Sequence, residues 1–451
     1  MSAPPSVPSP ALIPPLPALP AGARVLLAYS GGLDSTVLLH ALAARRTRGL
    51  VAVHVHHGLQ AAADGWAAAA AACCAALSVP LIVRRAAIAE RDAAGPEAAA
   101  REARYALLRG EMRPGDLLVT AHHRDDQVET VLLRLIRGVG VHGLAAMRPL
   151  SEFPPGQLWR PLLDQPRAAL QVYARRHALQ WIDDPHNEDP RYARSWLRQA
   201  LLPGLRARFP QTDDSLARTA RLAGETAGLL DELAAGDHAG AADGAALSVS
   251  ALLALSAARR HNLIRWWLTR QQFRAPFAVT LDRIDRELLA VAADAEPLIH
   301  WPGCELRRHR DRLFAMAPLA APPPRGTWGI WQANALPVLP PGCGRLLGAP
   351  PPQPIRIRSL EPGEAIRLAG QHHRKTCRNL FQAQGLPRWV RTRLPVLEVG
   401  DEARCIAGLG TTEGWQAFLA ASGWRGHWHP DLAGLPPCIA LTAAPLAPDC
   451  P

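Results

Sequence analysis

The stretch Arg24-Val25-Leu26-Leu27-Ala28-Tyr29-Ser30-Gly31-Gly32-Leu33-Asp34-Ser35 is an apolar strand that turns through two glycines into a helix pattern, Thr36-Val37-Leu38-Leu39-His40-Ala41-Leu42. Working outward, similar short apolar runs recur at 50–55, 81–83 and 117–120, separated by helical stretches at 35–46, 61–78 and 96–110. Buried strands alternating with helices predict an α/β fold with a doubly wound parallel sheet. Such sheets take ligands beyond the carboxyl ends of their strands. The glycine turn lies at one of those ends, and its residues suit phosphate. Gly31 and Gly32 let the backbone approach and present N–H groups, while Ser30 and Ser35 add hydroxyls. The following helix directs its positive end at an anion, and Asp34 is placed to hold Mg²⁺. The GxxxxGK[ST] pattern of a Walker loop is absent, and no lysine lies nearby.

A second constellation, Thr120-Ala121-His122-His123-Arg124-Asp125-Asp126-Gln127-Val128-Glu129-Thr130, follows the last of these strands. Asp126 and Glu129 are three apart and share one face of a first helical turn, a good socket for an ammonium group. His122 can join them or act as an acid–base group. Plain helix-dipole complementation reads the same acids equally well. Residues 191–210 hold arginines at 191, 194, 198, 206 and 208 and no acid, either a solvated face or charge for an anionic transition state.

The chain has 451 residues, 48% hydrophobic and 20% charged, which excludes disorder throughout and predicts several domains. The proline-filled residues 1–22 read as a flexible leader, without a basic region typical of a signal peptide. Residues 23–212 read as a nucleotide-binding catalytic domain, and 213–320 as a mainly helical middle domain with a hairpin near 304–315. Residues 321–354 read as a proline- and glycine-rich linker, and 355–432 as a basic C-terminal domain. Within 351–400 nine basic residues face three acids, over half of the chain's net +11. Charge this concentrated suits a nucleic-acid backbone. Eight cysteines without a CxxC predict neither a disulfide scaffold, an Fe–S cluster nor a structural zinc site. With no apolar span for a membrane, the expected location is the cytoplasm.

Ser30–Ser35 resembles the SGGxDS signature of the PP-loop ATP pyrophosphatases, whose sheet is Rossmann-like. His122–Thr130 is similar to the HHxxDQxET signature of one branch, the tRNA(Ile)-lysidine synthetases. Other matches follow in order: His54–Gln60 (HVNHGLR, with His56 for asparagine and Gln60 for arginine), Ala99–Leu108 (ARxxRYxxL), Arg160–Leu163 (RPLL) and Arg191–Pro203 (RxxRNxIRxxLLP, with Ser195 for asparagine). Residues 374–395 resemble the basic C-terminal domain of the same enzymes.

The resemblance implies ATP at Ser30, Gly31, Gly32, Leu33, Asp34, Ser35 and His57, with Mg²⁺ on Asp34. It implies L-lysine held by Asp126 and Glu129, His122 or a carboxylate as proton acceptor, and Arg104 and Arg194 on the phosphate charge. The RNA would be tRNA(Ile) with a CAU anticodon, touched by Arg198, Arg374, Lys375, Arg378, Trp389, Arg391 and Arg393, and by Arg259 and Arg260 in the middle domain. Ligation of lysine to C2 of the wobble cytidine through an adenylated base would give lysidine, AMP and pyrophosphate. That shifts decoding from AUG to AUA and identity from Met to Ile. A homodimer is left open. A tRNA-thiolating PP-loop enzyme is the rival reading, without a cysteine ligand set. A catalytically silent RNA-binding protein is the other.

Overall fold

The computed structural model describes residues 12–56, 63–86, 96–183, 191–292, 295–332, 336–430, 432, 435 and 439–441. The chain divides into two compact units, before and after Leu229–Leu230. The first unit is built on six strands: β1 (Val25–Ala28), β2 (Leu50–His56), β3 (Leu81–Arg85), β4 (Leu117–Val119), β5 (Leu150–Phe153) and β6 (Gly156–Trp159). Their order is β3-β2-β1-β4-β6-β5. All neighbours run parallel except the β5–β6 hairpin. Val25, Leu26 and Leu27 are all fully buried, the mark of a strand covered on both faces. The covering helices are α1 (Leu33–Ala44), α2 (Ala63–Ala76), α3 (Pro96–Glu111), α4 (Arg124–Ile136), α5 (Val141–Leu144) and α6 (Arg167–Arg176).

The strand order reverses between β1 and β4, so the crevice of the doubly wound sheet opens where these two strands end. At the opposite, amino-terminal edge of the sheet, buried Asp116 ties the starts of β1 and β4 together. It accepts from the Arg24 backbone N–H at 2.9 Å and the Arg113 N–H at 2.8 Å, and pairs with the Arg24 guanidinium at 2.6 Å. Burial alone would raise its carboxyl, but these donors hold it below the usual range. The β5–β6 hairpin was not expected; its strands are short and β5 lies at the sheet edge, where few residues need be apolar.

The flexible leader is corrected for residues 12–22. Ile13 is 1% exposed and packs with Leu12, Leu16 and Leu19 against the core that includes α1. Arg45 donates to the carbonyls of Ile13 and Pro14. The prolines stiffen this strap, which lowers the entropy lost on docking.

In the second unit, Cys304–His309 and Arg312–Met316 form the expected hairpin, within a five-stranded sheet beside helix Ala257–Arg270. The expected linker 321–354 is also corrected. It supplies strand Thr327–Trp331, paired with Ile355–Arg358, and strand Arg345–Gly348, paired with Gly426–His429. Both are edge strands, where flanking prolines leave no ladder bond unmade, and Trp331 and Leu346 anchor them in the core.

Ile13→Ala should lower unfolding stability by about 2–4 kcal/mol, the usual cost of emptying a filled core position. A denaturant midpoint unchanged from wild type would show that the strap is not part of the core.

Candidate active site

The loop after β1 forms a cradle. Gly31 adopts φ +84°, and a Cβ there would stand 2.7 Å from Ile182 Cδ1, so the turn needs glycine. The Ser30 and Ser35 hydroxyls lie 3.0 Å apart, and Ser35 donates to the Gly32 carbonyl at 3.1 Å. Thr36 donates to the Gly31 carbonyl at 3.2 Å. These bonds spend carbonyls inside the loop; apart from the Gly32 N–H, which donates to the Ser30 hydroxyl at 3.4 Å, they leave N–H groups to face an anion at the start of α1. Leu33 points into the core, so only its backbone can serve a ligand. Asp34 keeps one buried oxygen, Oδ1, without a hydrogen-bond partner. An oxygen of that kind beside a phosphate cradle fits Mg²⁺, which needs few protein ligands when phosphates supply others. His57 lies outside the described residues.

The loop after β4 reaches the same place. His123, only 3% exposed, puts Nε2 3.6 Å from Asp34 and 3.5 Å from Asp126, and Nδ1 3.7 Å from Asp125. Its backbone N–H donates to Asp126 Oδ2 at 3.1 Å and starts α4. Burial pulls the imidazole pKa down, yet Asp34, Asp126 and Asp125 together outweigh it and raise it. The buried His123 ring thus joins the two loops through these acids.

Its neighbour His122 sits in a different environment. His122 Nδ1 lies 2.9 Å from the Thr120 hydroxyl. Burial, opposed by Asp126 but reinforced by Arg160, Arg104 and Arg101, pushes its pKa down to about 3. These surroundings disfavour the protonated ring and so weigh against His122 as the proton acceptor.

The carboxylate pair is present, but not as a bare socket. Glu129, 1% exposed, receives the Arg198 guanidinium at 2.8 and 2.9 Å, and its second oxygen has no partner. Burial raises Glu129 while Arg198 opposes the rise and Asp126 adds to it. Asp126 has Arg194 at 4.0 Å, and Arg194 also donates to the Thr130 hydroxyl at 3.2 Å. A carboxylate as buried as Glu129 would be costly without a cation, and Arg198 supplies one. Arg104 stacks on Tyr105 and keeps a buried Nε without a partner. Arg101, Arg134 and Arg160 add to the same electropositive wall. Of these, Arg101 and Arg160 fall within the quoted motifs; Arg134, two helical turns after Gln127, carried no separate signal.

In the second unit the expected RNA contacts divide. Arg374, Lys375 and Arg378 are exposed. Arg391 donates to the Leu386 carbonyl and stacks on Phe381, beside a cleft of about 360 Å³ that Arg325 and Arg378 also line. Two assignments are corrected. Trp389 is 6% exposed inside the core, and Arg393 is 4% exposed and donates to the carbonyls of Trp389 and Ala320. Neither can stack on or pair with an RNA. Arg259 and Arg260 are likewise taken, by Asp237 and Asp285. Arg356 and Arg358 are tied to Glu398 and Glu364, so the free positive surface is narrower than the charge count implied.

A phosphate cradle at the end of β1, joined to a carboxylate and arginine pocket at the end of β4, defines a nucleotide-activating α/β enzyme. Residues 15–205 match the family model "PP-loop domain", 247–314 "TilS substrate binding domain" and 355–428 "TilS substrate C-terminal domain". The chain is 45% identical over 425 residues to the tRNA(Ile)-lysidine synthase of Xanthomonas axonopodis pv. citri, covering 91% of this chain and 96% of that one. It is 41% identical to that of Alkalilimnicola ehrlichii (88% and 92% covered) and 39% to that of Pseudomonas aeruginosa (90% and 93%). The chain belongs to the tRNA(Ile)-lysidine synthase family.

Because the fold raises the pKa of His123, its stabilising contribution is full below pH of about 6.5 and fades as pH rises through the folded value. His123→Asn should therefore lower the Tm most in mildly acidic buffer, with the gap to wild type narrowing in alkaline buffer. A gap that widens with pH would contradict the upward shift.

Proposed function

We propose that this enzyme ligates the ε-amine of L-lysine to C2 of the wobble cytidine of tRNA(Ile) carrying a CAU anticodon, in the cytoplasm. The observation that carries the reading is the junction at His123, which places the phosphate cradle within one side chain of Asp126. A triphosphate seated with its outer phosphates in 30–35 would turn its α-phosphorus towards the arginine wall. Asp34 would hold Mg²⁺ there, screening the phosphate charge. Arg194 and Arg104 then face the charge that develops as the cytidine O2 bonds to that phosphorus and pyrophosphate leaves. The wobble base must be splayed out to reach it.

In the second half, the lysine nitrogen bonds to C2 and AMP departs with the former O2. An ε-ammonium, with an ordinary pKa of about 10.4, must first lose a proton. The surroundings of His122 disfavour its protonated form, so a carboxylate takes the proton. Glu129 suits the role, with its raised pKa and one buried oxygen free to accept. Lysine's ammonium replaces Arg198 and Arg194 at the two carboxylates, and these arginines turn to the AMP and RNA phosphates. The exposed Arg374, Lys375 and Arg378 meet the tRNA backbone.

Incubation with ATP, [¹⁴C]lysine and unmodified tRNA(Ile) should place label in the RNA. Dependence on a sulfur donor, or RNA binding without turnover, would overturn the reading. Asp34→Ala should slow tRNA-dependent pyrophosphate release on the order of 100-fold while tRNA is retained. Equal loss of both would remove Asp34 from the nucleotide site. Glu129→Gln should raise the lysine KM about tenfold or more, the effect of roughly one lost charge contact. An unchanged lysine KM would take Glu129 out of the amine pocket.

A further inference from the structure

We propose that Arg167 is the cation that grips the β- and γ-phosphates and the pyrophosphate they become; this rests on the reading of residues 30–35 as the ATP cradle. The chain's single lysine is Lys375, so the loop has no lysine of its own to meet a triphosphate's charge. Among the described arginines around the junction, most have closed contacts. Arg198 is on Glu129, Arg206 on Asp125 and Asp213, and Arg124 on Asp214. Arg134 donates to the carbonyls of Gly143 and Ala146, and Arg160 to that of Arg148.

Arg167 differs. Its Nε stands 4.0 Å from Asp34 Oδ1, beyond hydrogen-bond reach, and its side chain is 45% exposed. That is a parked cation, held near the cradle by charge and free to leave. Its anchor is independent of the side chain: the Arg167 backbone N–H, at the first turn of α6, donates to Asp125 Oδ2 at 2.9 Å. The hub of carboxylates thereby fixes where the guanidinium starts.

The position also separates two tasks. Arg194 approaches Asp126, whereas Arg167 approaches Asp34 on the loop itself. As cytidine O2 bonds to the α-phosphorus, the bond to the bridging oxygen breaks and its electron pair passes to pyrophosphate. A guanidinium at the outer phosphates forks two oxygens and stabilises that added charge.

The test compares Arg167→Met, which keeps length and loses charge, with Arg167→Lys and wild type in the full-length chain. Binding of ATP, pyrophosphate and AMP is measured by calorimetry, with single-turnover pyrophosphate release in the presence of tRNA. For the methionine variant, affinity for ATP and pyrophosphate should fall about tenfold or more while AMP binding stays within about twofold, with partial recovery in the lysine variant. Equal weakening for AMP, or unaltered pyrophosphate affinity in either variant, overturns the role of Arg167 alone. Wild-type protein that releases no pyrophosphate with tRNA would instead sink the functional reading beneath it.

Discussion

The His123 imidazole, seated among Asp34, Asp125 and Asp126, is the contact on which the first unit's working face depends. Each of its three ion contacts, at 3.5–3.7 Å, is worth about 4–5 kcal/mol before desolvation is counted, and burial cancels much of that. What remains is positional. One ring ties the loop after β1 to the start of α4, so neither the phosphate cradle nor the carboxylate pocket can drift from the other. Without the ring, three partly buried acids would face one another, a like-charge cluster that lowers stability.

The topology explains why this joint exists. With β1 and β4 adjacent and the strand order reversing between them, two loops that are far apart in sequence meet beyond the carboxyl ends. Each loop brings one sign of charge chemistry: N–H groups and hydroxyls on the first, carboxylates on the second. The arginines on the helical segments after residue 191 lie against these acids. Arg198 pairs with Glu129, and Arg194 stands 4.0 Å from Asp126, so each acid has a guanidinium beside it.

Much of this was legible in the sequence. The glycine turn, the strands at 24–29, 50–55 and 117–120, and the Asp126/Glu129 pair could be read directly, because strand runs and helix spacing are local signals. The division of labour between adjacent histidines was not. His123 is the extended residue at the start of α4 and turns under the helix towards the acids, while His122 contacts Thr120 instead. Alternation along an extended backbone sends neighbours opposite ways, and only the tertiary contacts say which way is inward.

The basic C-terminal region misled for a related reason. A tryptophan among arginines reads as an RNA platform whether it is exposed or, like Trp389, buried with Arg393 capping carbonyls above it. Prolines likewise hid the strap at 12–22 and the two edge strands in 321–354, since extended docked chain and loose chain share a composition.

The account turns on the wobble base being activated at its own oxygen, with that oxygen leaving on the nucleotide. Transcripts of tRNA(Ile) carrying ¹⁸O at C2 of the wobble cytidine, turned over with ATP and lysine, test it by mass spectrometry of the products. The label is predicted in AMP. Unlabelled AMP with ¹⁸O in water or pyrophosphate would contradict the proposed chemistry at its first bond.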